Sequence, residues 1–201
     1  MRKHHAVILV AVALFAAAPA FAAGFSFYEQ SAKASAQAGA WVARADDAAA
    51  NWYNPAALIH LTGRELQFGT NWVDIGSDTT FTTAAGSTFD AVANTEFPST
   101  FYFSQKINDR VAWGVGLTNP FGLTSEWDDA PLTFSSQRAE LVTFNLNPNI
   151  AIKISPKWSV AAGIDYLSAE VHEFSRQTVI TLPGPTLIPS TANLSGEGTG
   201  L

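Results

Sequence analysis

Residues 139–154, AELVTFNLNPNIAIKI, alternate with a period of two. Val142, Phe144, Leu146, Ile150, Ile152 and Ile154 fall on one side; Thr143, Asn145, Asn147, Asn149 and Lys153 fall on the other. Successive side chains of an extended chain point to opposite faces, so this is a strand with one oily and one wet side. The pattern recurs upstream and downstream. A third candidate strand, VAWGVGL, sets Val111, Trp113, Val115 and Leu117 against Ala112, Gly114 and Gly116. A second sets Phe97, Phe101, Phe103 and Ile107 against Thr100, Tyr102, Ser104 and Lys106, and a fifth sets Trp158, Val160, Ile164 and Tyr166 against Ser159, Gly163 and Asp165. The first, ELQFGTNWVDIG, alternates less cleanly through Leu66, Phe68 and Trp72.

The connections alternate as well. Asn108-Asp109-Arg110 and Ser155-Pro156-Lys157 are tight polar turns, whereas 77–94, 119–136 and 174–192 are long. Short turns on one side and long loops on the other predict an all-β, antiparallel transmembrane barrel, with Trp72, Trp113, Trp158 and Tyr166 as interfacial aromatics. A secreted β-sandwich also alternates, but long strands with three-residue turns on one side only fit it poorly. Composition agrees: charged residues are 14%, well below the roughly 25% of soluble domains. The net charge of -6 excludes a basic nucleic-acid-binding surface, and zero cysteines exclude a disulfide scaffold.

The N-terminus reads as a leader. Arg2 and Lys3 precede an apolar run from Ala6 to Ala18, followed by Ala20-Phe21-Ala22, a small-x-small cleavage pattern. The run is too short to span a bilayer. Residues 1–22 are therefore expected to be a signal peptide, 23–62 an N-terminal plug or hatch of short helices, and 63–201 the N-terminal part of the barrel. The expected plug is Ala-rich around SAKASAQAGA and breaks at Asn54-Pro55.

The mature start, AGFSFYEQSAKASAQAGAWVARADDAAANWYNPAAL, resembles the hatch of the FadL/TodX-type outer-membrane transporters of long-chain fatty acids and other hydrophobic compounds. The matching pieces are Ala23-Gly24-Phe25, Ala45-Asp46-Asp47-Ala48 and Asn54-Pro55-Ala56, with Asn119-Pro120-Phe121-Gly122-Leu123 farther along. The resemblance implies a fourteen-stranded barrel in the outer membrane of a Gram-negative bacterium. It further implies capture of substrate at extracellular loops and sideways release through a gap near the third strand. By that resemblance Asn54, Pro55 and Ala56, with Asp46 and Asp47, form the gate, facing a kink for which Gly114 and Gly116 supply flexibility. Five strands and the start of a sixth at Leu194 cannot close a barrel. The chain is thus expected to be the N-terminal part of a longer protein or a truncated product.

No catalytic constellation stands out. Asp46 and Asp47 are adjacent and read as a polar or helix-capping pair; His60 and His172 are too far apart for a local metal site. No enzyme, metal or cofactor is expected. The stretch TVITLPGPTLIP is oily for an external loop, making Val179, Leu182, Leu187 and Ile188 candidate substrate contacts. Phe121, Leu123, Trp127 and Phe134 could form the opposite wall. Expected partners are a fatty acid or other hydrophobic molecule, with outer-membrane lipid and lipopolysaccharide around a monomer, and no nucleic acid. Aromatic-hydrocarbon uptake, a general porin and a structural or adhesive barrel are the alternatives.

Overall fold

The computed structural model describes residues 26–75, 79–128, 136–181 and 186–200; beyond Glu173 the description is confined to the backbone. The expected leader at 1–22, with Phe134 and Leu182, lies outside the described residues.

Among the described residues helical structure is confined to the N-terminal segment: α1 (Ala32–Ser35), α2 (Ala50–Tyr53) and a 3-10 helix (Pro55–His60). Pro55 occupies the first turn of the 3-10 helix, where a missing N–H costs nothing. Strands follow as β1 (Arg64–Thr70), β2 (Val73–Ile75), β3 (Thr80–Thr82), β4 (Thr88–Asp90), β5 (Asn94–Glu96) and β6 (Ser99–Lys106). Next come β7 (Val111–Thr118), β8 (Gly122–Glu126), β9 (Arg138–Ser155), β10 (Trp158–Gly163), β11 (Tyr166–Thr181) and β12 (Thr186–Gly200). The main sheet is antiparallel in the order β1-β6-β7-β9-β11-β12, with β8 and β10 also on β9. Among the described residues no helix is long and apolar enough to cross a membrane.

The sheet is inside out relative to a water-soluble fold. Phe68, Trp72 and Trp158 are 72%, 78% and 71% exposed, while Thr143, Asn145, Asn147 and Asn149 on the opposite face are buried. In water that arrangement would forfeit the apolar burial that drives folding; in hydrocarbon it is the stable one. The buried cluster joins Ala34, Trp41, Ala48, Ala49, Ala50, Leu58 and Ile59 of the N-terminal segment to Tyr102, Ala112 and Ala151 of β6, β7 and β9. The short helices therefore cover the wet face, and alanines let their backbone approach it closely.

The short turns have local causes. Asn108 Oδ1 accepts from the amides of Arg110 and Val111 at 2.8 and 3.0 Å, closing the β6–β7 turn. Lys157 N donates to Ser155 Oγ at 3.3 Å in the β9–β10 turn.

The long connections differ from expectation in three places. The first carries the β3–β4 hairpin, paired at Phe81↔Phe89. The second carries β8. The third is mostly ladder: β11 and β12 remain paired through Thr178↔Pro189, Val179↔Ile188, Ile180↔Leu187 and Thr181↔Thr186. The sixth strand thus begins at Thr186, well before Leu194. The reason is β-branched composition, since TVIT and TLIP extend a ladder more readily than they form a loop, and Pro189 sits in β12, which pairs among the described residues only with β11.

Candidate functional site

Two barrel strands are interrupted, and both interruptions face the N-terminal segment. Between β7 and β8 the pairing with β9 runs Thr118↔Asn145 and resumes at Gly122↔Val142, so three residues (119–121) oppose two (143–144). This bulge reverses the faces of β8 relative to β7. Side chains replace the lost ladder: Asn119 Nδ2 donates to Thr143 O at 2.6 Å, Asn119 Oδ1 accepts from Ser99 N at 3.1 Å, and Phe121 N donates to Thr143 Oγ1 at 2.9 Å. Beyond the bulge, β8 pairs with β9 and makes no backbone ladder with β5 or β6. It touches the other side through Thr124 Oγ1, which donates to Glu96 at 3.0 Å, and through Val92 N, which donates to Glu126 O at 2.8 Å.

The opening left beside β8 is a cavity of about 190 Å³. Phe27, Val73, Phe97, Phe121, Leu123 and Val142 supply its apolar wall, and Glu96 and Glu140 reach it as well. Val142 lies on the outer face of β9, Leu141 and Thr143 on its inner face with Leu123 opposite Leu141, and Phe27 belongs to the N-terminal segment, so the cavity reaches both faces of the wall.

The second interruption, at Ile164–Asp165 between β10 and β11, lies opposite Pro148 and Asn147 of β9. Proline has no N–H to give, and Asn147 Nδ2 donates to Ile164 O at 3.2 Å instead. Asn145 Nδ2 donates to Asp165 Oδ1 at 3.0 Å. The wet-face asparagines therefore carry bonds that the backbone cannot make.

The N-terminal segment is fastened to these strands by named contacts. Phe27 N donates to Pro120 O at 2.7 Å and Gln30 Nε2 to Asn119 O at 3.3 Å. Tyr102 OH donates to Gln30 O at 3.0 Å, and Asn71 Nδ2 to Glu29 O at 2.6 Å. Asn51, only 1% exposed, donates through Nδ2 to Asn147 O at 2.7 Å and to Asn147 Oδ1 at 3.2 Å. Its side chain fills the space left by Gly114 and Gly116: a Cβ at Gly114 would stand 2.6 Å from Asn51 Oδ1 and 3.2 Å from Leu58 Cδ1.

Asn54 caps the 3-10 helix, which packs against β7, and its Nδ2 donates to Val42 O at 3.0 Å inside the N-terminal segment. Pro55 shares a cavity with Pro120, Phe121, Asn145, Asn147 and Asn149. Gly114 and Gly116 lie within an unbroken ladder, and the interruption comes later, at 119–121. They are glycines at a close approach, and the bend belongs to Asn119-Pro120. Trp127 is turned onto its own loop, its Nε1 donating to Ser125 Oγ at 3.1 Å.

Asp46 and Asp47 staple the N-terminal segment. Asp46 accepts from Lys33 Nζ at 2.7 Å and from Arg44 Nε at 3.2 Å, while Asp47 Oδ1 accepts from Ala49 N at 3.0 Å ahead of α2. The hydrogen bond from Lys33 holds the Asp46 carboxyl below its ordinary 3.8, and the same bond raises Lys33 above 10.5. The Asp46 contribution is lost as pH falls below its ordinary range, and that of Lys33 as pH rises above its own. Both groups are exposed, so this pair should leave melting flat between about pH 5 and 9; a midpoint within that range would belong to another group, and a large fall in acid that Asp46→Asn abolishes would assign the pair a larger role. Burial pushes the Tyr53 hydroxyl up to about 12, where it donates to Tyr28 O at 2.8 Å.

A barrel wall, a fastened N-terminal segment and a breach beside β8 form the setting for the family comparison. The model of the outer membrane protein transport protein family (OMPP1/FadL/TodX) matches residues 13–197. The chain belongs to this family. The family is one of outer membrane proteins, which places the chain in that membrane. A long-chain fatty acid transport protein of Salmonella typhi is 29% identical over 190 residues, covering 90% of this chain and 43% of the relative. Outer membrane protein P1 of Haemophilus influenzae (strain ATCC 51907 / DSM 11121 / KW20 / Rd) is 29% identical over 193 residues, covering 86% and 42%. The crystal structure of a Pseudomonas aeruginosa FadL homologue superposes with a TM-score of 0.54 at 17% identity, covering 77% of this chain and 42% of that one. The chain thus spans about two-fifths of the length of these relatives, and at 17% identity the solved structure speaks to the fold alone.

Sequence reasoning missed Asn51, Gln30, Asn119 and Thr143. The Asn-x-Asn-x-Asn run of 145–149 was the available signal. Amides repeated on a wet strand face imply partners, and Asn51 is a buried amide of the Ala-rich segment that meets them.

Proposed function

We propose that this FadL-type chain serves passive uptake of hydrophobic compounds, long-chain fatty acids or aromatic hydrocarbons among them, across the outer membrane. Cargo enters from the long-loop side and leaves sideways into the membrane through the opening beside β8. The observation that carries this reading is the missing ladder between β8 and β5–β6, with a largely apolar cavity in its place. A sideways exit is the favourable one: each CH₂ kept out of water is worth about 0.8 kcal/mol, so release of a long chain into an aqueous lumen is uphill. Asn54, Pro55 and Ala56, together with Asp46 and Asp47, act on this route by holding the N-terminal segment in shape, and Asn51, Gly114 and Gly116 by holding it against the wall.

The test is uptake of labelled oleate and labelled toluene by the native bacterium with and without the gene. Gene-dependent uptake of either supports the reading and identifies the branch. If neither depends on the gene while the protein is present in the outer membrane, transport is excluded and a structural or adhesive barrel takes its place.

A further inference from the structure

We propose that the opening beside β8 passes its cargo in uncharged form and discriminates against carboxylate anions. This rests on the reading that hydrophobic cargo crosses there, and adds the charge state of what crosses.

The charged side chains that line the opening are Glu96 and Glu140, beside neutral Asn119, Thr124 and Thr143, and neither carboxylate waits for a cation. Glu96 already accepts from Thr124 Oγ1 at 3.0 Å. Glu140 is paired with Arg138 at 3.3 Å, and Arg138 is shared with Glu126 at 2.8 Å. One guanidinium thus stands against three carboxylates. Among the described residues lining this cavity no lysine, arginine or histidine is present.

The sequence around the opening deepens the asymmetry. Between Arg64 and Lys106, and again between Arg110 and Arg138, the chain contains no lysine, arginine or histidine. The first interval carries Asp74, Asp90 and Glu96 at or beyond the outer end of its strands, and the second carries Glu126 and Asp128. These intervals supply β2 to β8, which include both flanks of the opening. Lys106 and Arg110 lie instead at the short turn between β6 and β7, the opposite end of the wall.

A cargo carboxylate entering here leaves water for an apolar cavity and meets like charge with no uncommitted cation to balance it. Desolvation and repulsion act in the same direction. A neutral ester, an alkylbenzene or a protonated acid meets the favourable apolar wall without that charge penalty. Because the acidic side chains are already hydrogen-bonded or paired, they act as a filter against anions and not as a binding site for cations.

The test compares gene-dependent uptake of a labelled long-chain fatty acid at pH 8 with that of its methyl ester, in cells carrying the native gene and in cells lacking it. The ester should enter faster by about tenfold or more, an effect of the size one unfavourable charge contact produces. Glu96→Lys should bring the ratio toward unity, and Glu140→Gln should move it the same way by less, each at an amount of folded barrel matched by heat-dependent electrophoretic mobility. A ratio near unity in the native protein, or one that neither substitution moves, overturns the proposal and leaves the transport reading intact. If neither compound shows gene-dependent uptake this inference is overturned, and if labelled toluene shows none either the transport reading fails with it.

Discussion

Gly114→Val is expected to leave the barrel strands assembled and to unseat the N-terminal segment that covers their wet face. A Cβ at this position would lie 2.6 Å from Asn51 Oδ1 and 3.0 Å from the backbone oxygen of Phe103. The second distance is the decisive one, since a carbonyl in the β6 ladder cannot swing away as a side-chain end can. Valine adds two further methyl groups in the direction of Asn51 and Leu58. Overpacking of this kind costs about 1–3 kcal/mol. Spent at the contact between segment and wall, about 2 kcal/mol raises the unseated population roughly thirtyfold. Two measurements check it: cleavage within residues 26–63 by externally added protease in purified barrel, and sensitivity of cells to a bulky polar antibiotic. Both should rise. Gly116→Ala should do less, because its Cβ would meet the side chains of Asn51 and Tyr102 at 3.0 and 3.1 Å, and side chains can move. Equal protease resistance for Gly114→Val and the unaltered protein would mean that the segment is held elsewhere, most directly at Phe27 and Gln30.

That prediction rests on a contact invisible in the sequence, and the contrast with what was visible has a physical basis. Strand existence and facing were legible because alternation is a local property repeated many times. Val142, Phe144, Ile150 and Ile152 point away from Thr143, Asn145, Asn147 and Asn149 whichever strands flank them. The inverted sense of the sheet followed from the same residues, since their oily face had no second layer to cover it. Register defects are another matter. Whether Asn119-Pro120-Phe121 ends a strand or bulges within one depends on Thr143, more than twenty residues later, offering its hydroxyl and carbonyl at the right place. Likewise Pro148 in a central strand reads as a strand breaker until Asn147 is found donating in its stead to Ile164. The family motif drew attention to Asn54-Pro55-Ala56, and the 3-10 helix begins there, but three residues earlier Asn51 makes the contact to β7 and β9. A motif marks where the chain turns; partner geometry decides which neighbouring side chain reaches across.

Asn51→Ala follows as the complementary test, removing the partner and keeping the glycines. It deletes the donations to Asn147 O and Asn147 Oδ1 from a position that is 1% exposed. The expected cost is about 1–3 kcal/mol, the price of lost buried hydrogen bonds and of the space left behind. Asn147→Ala should cost more, because the same amide also bridges the β10–β11 interruption through Ile164 O, so its loss weakens the wall as well as the seat. The two effects can be separated. In the double variant the shared term, the bond from Asn51 Nδ2 to Asn147 Oδ1, is lost only once, giving a coupling of about 1 kcal/mol in thermal unfolding, while the Ile164 term appears undiminished in every variant lacking the Asn147 side chain. Restored tolerance of bulk at residue 114 should accompany it: with Asn51 shortened to alanine, Gly114→Ala loses its clash with Oδ1 and retains only the approach to Phe103 O. Strict additivity of Asn51→Ala and Asn147→Ala would instead assign the seat to the bond from Asn51 to the Asn147 backbone oxygen, which Asn147→Ala retains, and to the apolar contacts around it, with no share for Asn147 Oδ1.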